Sequence, residues 1–177
     1  MQPDRAIFLF HFLLPQLKSG QAITEKIPSA VPPDKGDYKP DAKCMSARGL
    51  AWHIAVVEMW FLDAVIHRRF GETMLPPAEV KTCRDVAQWY EQSFVQRLPL
   101  LEDLKTPVDF IGLRNDPAVA YMNIAIRHSV HHRGQISTYL RAMGAKVPAI
   151  HVESSDEPYP PVAGSAAAEN GQRPPAF

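Results

Sequence analysis

From Asp116 to Met143, small and apolar residues return at helical spacing: Ala118, Tyr121, Met122, Ala125, Ser129, Ile136, Tyr139, Leu140 and Met143. A stripe this long has to be buried against other helices, so it constrains the fold more than any other stretch. His128 and His132 stand on the same stripe. At 100° per residue they lie about 40° apart and about 6 Å along the axis. Two imidazoles in an apolar interior are costly to desolvate unless something engages their nitrogens. A divalent metal does so, and the i, i+4 spacing lets one helix supply two ligands. His131 is set back by about 100° and is the weaker candidate. The pair still needs at least one more protein ligand.

The chain has 177 residues, enough for one domain with a substantial core. Nineteen basic and nineteen acidic residues balance to a formal net charge of zero. Nothing in that balance points to nucleic acid or an anionic membrane. Cys44 and Cys83 form no paired pattern and read as reduced thiols. The apolar run from Ile7 to Leu14 is broken by His11 and is too short to span a bilayer. A soluble, cytoplasmic protein is expected.

Four helices are expected. The first runs from Pro3 or Asp4 to about Glu25, with Pro15 kinking or interrupting it. Pro28 to Lys43 reads as linker because prolines and Gly36 forbid a continuous helix. Ser46 can cap a second helix from about Ala47 to Arg69. A third, opened by Pro76-Pro77, is expected from about Ala78 to Leu104. Asp116-Pro117 opens the fourth, which Gly144 ends after Met143. Residues 1–150 are thus a helical bundle, and 151–177 a Pro- and Ala-rich extension expected to pack on the bundle or on a neighbouring molecule.

The second helix is apolar almost all round, and His53 stands among its tryptophans. With a histidine pair waiting on the fourth helix, His53 is the best third ligand. His67 lies about 21 Å further along the axis, too far to share the metal. Glu58 is about 140° around from His53 and is not expected to ligate. His11 reads as a packing or surface residue. Gln135, three residues past His132, can orient an imidazole from outside the coordination sphere, with His131 in a similar supporting place. Gly134 is expected to permit close approach of a neighbouring helix. Arg133 points away from the ligand stripe, either pairing across helices or solvated.

The segment His128-Ser129-Val130-His131-His132-Arg133-Gly134-Gln135-Ile136, followed by Tyr139-Leu140-Arg141 and Gly144, resembles the closing motif of DinB-like proteins. Leu50-Ala51-Trp52-His53, after Tyr38-Lys39-Pro40-Asp41, resembles that family's histidine on the second helix, and Ser155-Asp156-Glu157-Pro158 its short acidic segment. The resemblance implies a four-helix bundle of up-down-down-up topology, often a homodimer, holding nickel, zinc or a similar divalent ion on His53, His128 and His132. It also implies a metalloenzyme. Some relatives transfer low-molecular-weight bacterial thiols such as bacillithiol or mycothiol, and others isomerise maleylpyruvate with a thiol cofactor.

Three neutral imidazoles leave the ion its full charge and an open position, which suits thiol transfer or hydrolysis. No Glu stands beside the histidine pair as in HExxH, so thiol-dependent transfer leads and metal-dependent hydrolysis follows. A non-catalytic metal-binding or stress-response protein is the third possibility. A homodimer is expected from the apolar surface of the second helix.

Overall fold

A computed structural model describes residues 2–102, 117–150 and 153–158. Four α-helices dominate the described residues: α1 Pro3–Ser29, α2 Ala47–His67, α3 Cys83–Glu102 and α4 Ala118–Ala142. No strand occurs among these residues. α2 and α1 occupy opposite corners, each packing on both α3 and α4.

Side-chain pairs give the helix directions. Glu58 meets Tyr90 and Asp63 meets Arg97, so α2 and α3 run parallel. His53 meets His132 while Phe61 meets Tyr121, so α4 opposes α2. Lys18 pairs with Glu102 at the far end of α3 while α1 runs on toward Lys26, and Arg133 of α4 reaches Gly20. The order is up-down-down-up, as the resemblance implied.

α1 runs to Ser29, past the expected end at Glu25 and into the segment read as linker. Thr24 and Ile27 are buried, so packing on the bundle outweighs the missing Pro28 N–H. Pro15 does not interrupt the helix. It sits on the exposed side with His11 and Phe12, where water can satisfy the carbonyl it leaves unpaired.

Ser46 caps α2 as expected, its hydroxyl accepting from the Gly49 N–H at 3.1 Å. α2 ends at His67 rather than Arg69, because Arg68 adopts the left-handed conformation at φ 57°. It is the one helix among the described residues long and apolar enough to cross a membrane, but most of it is buried by the other three. Twelve residues of α2 are buried within the chain, while Trp52, Val57, Trp60 and Ile66 remain partly exposed.

α3 starts at Cys83, five residues later than expected. Its start is set by a reciprocal cap: Thr82 Oγ1 accepts from the Asp85 N–H, and Asp85 Oδ2 accepts from the N–H groups of Lys81 and Thr82. Those bonds hold the Asp85 carboxyl below the usual carboxylate range. Pro76-Pro77 belongs to the crossing before it, anchored where Arg48 donates to the Lys81 carbonyl at 2.7 Å. The expected end at Leu104 and the Asp116 that opens α4 lie outside the described residues.

Gly144, at φ 72°, ends α4. Ala145 N–H then bonds the Leu140 carbonyl at 2.9 Å, closing the last turn. Residues 153–158 fold back on this end of the bundle. Asp156 accepts from the Val147 N–H and pairs with Arg141, and Glu157 accepts from the Ala149 N–H and pairs with Lys26. The remainder of the proposed 151–177 extension lies outside the described residues.

Candidate metal centre

α2 and α4 cross so that the His53, His128 and His132 rings meet. Ring centroids are 4.8 Å apart for His53–His128, 4.7 Å for His53–His132 and 4.3 Å for His128–His132. One nitrogen from each ring lies within 4.8 Å of the others. The Nε2 atoms of His53 and His128 are 3.0 Å apart. Two Zn–N bonds of about 2.0–2.1 Å bridge donors up to about 4 Å apart, so one ion can reach the His53 and His128 pair, and the three rings form a candidate donor set. The rings are half-buried, and the cluster can be reached from outside.

The second nitrogens differ in their bracing. His132 Nδ1 lies 2.6 Å from the Gln135 side-chain oxygen. An oxygen acceptor there fixes the proton on Nδ1 and leaves the Nε2 lone pair for a ligand bond. His128 Nδ1 is buried and has no hydrogen-bond partner among the described residues. His131 is exposed, its ring 4.8 Å from His132, and it lies outside the triad.

Electrostatics favours neutral rings. Burial and the neighbouring His132, His53 and His131 push His128 down to about 4. Burial, then His132, lowers His53. Burial lowers His132 too, against the opposing Gln135 bond. At neutral pH all three present lone pairs, the form that binds metal.

One turn away lies a second polar cluster. Glu58 is fully enclosed in α2 and receives hydrogen bonds from Tyr90 Oη at 2.5 Å and from Ser129 Oγ. Burial pushes its carboxyl up, and the Ser129 and Tyr90 hydroxyls and the Arg133 charge oppose that shift. Arg133 is only 2% exposed, so it pairs across helices and the solvated alternative falls. Its Nε donates to the Ser129 carbonyl and its Nη1 to the Gly20 carbonyl, each at 3.1 Å.

Gly20 is the glycine that faces another helix closely: a Cβ there would stand 3.4 Å from Arg133 Nη2, about van der Waals contact. Gly134, expected in that role, is exposed with open space around it, and nothing in the structure explains why it is glycine. The signal for this network in the sequence is Glu58 itself, since an acid in an otherwise apolar helix needs a buried partner. Glu58 is turned toward that partner and away from ligation, as its angular position required. His67 ends α2 and His11 is exposed, so neither joins the cluster.

The DinB family profile matches residues 10–161. The uncharacterized protein YjoA of Bacillus subtilis (strain 168) is 27% identical over 139 residues, spanning 76% of this chain and 87% of YjoA. The crystal structure of that DinB-like protein superposes with a TM-score of 0.67 at 23% identity, covering 78% of this chain and 96% of YjoA. A DinB-like protein from Bacillus cereus ATCC 10987 gives a TM-score of 0.65 at 21% identity, covering 78% and 95%. A putative DinB family member from Exiguobacterium sibiricum 255-15 gives 0.53 at 20%, covering 77% and 92%. The helix order and the extent of the family match agree, and the chain belongs to the DinB family.

Proposed function

We propose that His53, His128 and His132 bind one divalent ion, nickel or zinc, and that the protein is a metal-dependent transferase acting on a low-molecular-weight thiol. The observation that carries this reading is the convergence of three neutral, half-buried imidazoles on one point. A bound ion supplies positive charge and an open position that stabilise thiolate over thiol near neutral pH.

The chain's own residues supply orientation. Gln135 holds His132 in the tautomer that offers Nε2, and the Glu58–Ser129 bond sets α4 against α2 beside His128. In the transfer, the thiol loses its proton, its sulfur forms a bond to an electrophilic carbon, and the leaving group departs with that carbon's bonding pair. Hydrolysis is less well supported. Among the described residues no carboxylate joins the triad, and Glu58 is turned inward.

Burial pushes the Cys83 thiol up to about 11, and neither cysteine is needed as nucleophile because the substrate thiol supplies it. A Cys44→Ser, Cys83→Ser variant should therefore keep activity. The experiment is conjugation of a chromogenic electrophile with bacillithiol, mycothiol, glutathione or coenzyme A, comparing metal-loaded protein with His128→Ala. Activity with one thiol that vanishes in the variant supports the reading; background rates with every thiol reject it. A cytoplasmic homodimer is part of the same proposal, with exposed Phe8 and Phe12 of α1 as its contact.

A further inference from the structure

A cavity of about 400 Å³ opens on the outer side of α2, where α3 and residues 69–74 enclose it. At 100° per residue, its α2 lining residues Val56, Met59, Trp60, Asp63 and His67 fall between about 20° and 120° from His53, all on one side of it. The core residues Leu50, Ile54, Leu62 and Val65 fall on the other side. The first cavity residue, Val56, is about 4.5 Å along the axis from His53. The cavity therefore begins one turn from the histidine cluster on the outward surface of α2.

Its walls are built for a flat apolar group. Trp60 and Trp89 line it, and both indoles are held: Trp60 Nε1 donates to the Gly71 carbonyl at 2.6 Å, and Trp89 packs on Trp52 with centroids 4.6 Å apart. Met59 and Met74 add polarizable, adaptable surface. Of the charged residues in the wall, Arg97 grips Asp63 through two bonds of 2.7 Å, and His67, Arg69 and Glu72 are exposed to solvent. The volume lies within the range of small-molecule sites, about 300–1,000 Å³.

We propose that this cavity binds a flat, uncharged apolar group of a small molecule whose polar head reaches the histidine cluster. The head-group half rests on the metal and thiol reading above; the cavity half does not. All three of the chain's tryptophans line the cavity or touch a residue that does, so intrinsic fluorescence reports on it directly.

Naphthylmethanol titrated into metal-free protein should quench that fluorescence saturably. Thr73→Phe, which fills the cavity from an exposed loop position, should weaken binding by about tenfold or more, while Thr73→Ala retains it. No saturable quenching, or equal binding by Thr73→Phe, overturns the proposal. In nickel-loaded protein, naphthylmethanethiol should bind at least about tenfold tighter than naphthylmethanol, with mercaptoethanol showing by its charge-transfer absorbance whether the metal accepts a thiol. If mercaptoethanol binds the metal and the naphthyl thiol gains nothing over the alcohol, the link between cavity and cluster is wrong. If mercaptoethanol fails while naphthylmethanol binds, the thiol reading falls and the cavity assignment stands.

Discussion

Two polar clusters sit one turn apart on the same helix pair, and they are finished differently. Around Glu58, both carboxylate oxygens have donors, and Arg133 reaches carbonyls on α4 and α1. Around His53, two imidazole nitrogens face each other at 3.0 Å, and His128 Nδ1 has no partner among the described residues. The first cluster satisfies its carboxylate from within the chain and acts as scaffold. The second is a donor set of the kind that a cation would complete. A buried polar network left with open valences on one side marks a binding site, whereas a closed one marks scaffold.

The largest effect is expected where the closed cluster is opened. Arg133→Ala should destabilise the protein by about 3–5 kcal/mol, because it leaves the Ser129 and Gly20 carbonyls without their donor, opens a cavity and removes the cation beside the buried Glu58. Glu58→Leu combined with Arg133→Met should recover much of that loss, and urea unfolding of the three proteins checks it. A double variant no more stable than Arg133→Ala would mean that packing around position 133, not charge, carries the effect.

The open cluster should respond in metal affinity rather than in fold. Gln135→Leu should weaken metal binding by about 10–100-fold, as loss of an orienting partner does, with the urea midpoint of metal-free protein unchanged. Competition with a chromogenic chelator measures the affinity. An unchanged affinity would show that Gln135 does not set the His132 tautomer.

The open cluster also dictates a pH dependence in metal-free protein. His128 is held down to about 4, against an ordinary value of 6.5. Between those values the unfolded chain takes up a proton that the folded chain refuses, so stability falls as pH drops from 6.5 to 4 and levels off below. The lowered His53 and His132 add in the same direction. Urea midpoints across this window should show the slope, and His128→Gln should reduce it. A slope identical in the variant would assign the dependence to other groups.

The smallest effect is expected far from both clusters. Thr82→Ala removes half of the α3 cap and should cost about 1 kcal/mol while leaving metal affinity alone. A change in metal affinity in this variant would show that the clusters are not as local as their bonds suggest.

The helices and the triad were legible because both follow from period. His128 and His132 share a face at i, i+4, and a histidine inside an apolar helix needs a partner. Boundaries read less well where local signals compete. Pro28 argues for a break, but buried Ile27 carries α1 past it. Pro76-Pro77 looked like a helix start, yet Thr82 and Asp85 set the start six residues further on from Pro77. Gly20 and Arg133 could not be paired from sequence, because their contact joins positions 113 residues apart. The cavity beside Trp60 was equally hidden, since residues 69–74 form it only by folding back over α2.

The central claim is that the triad, and not the neighbouring histidine, holds a metal. Elemental analysis of freshly purified protein tests it most directly, with His132→Ala and His131→Ala prepared alongside the parent. The account predicts about one nickel or zinc per chain in the parent and in His131→Ala, and essentially none in His132→Ala. A metal-free parent that takes up neither ion on addition would contradict it, as would a site emptied by His131→Ala and retained by His132→Ala.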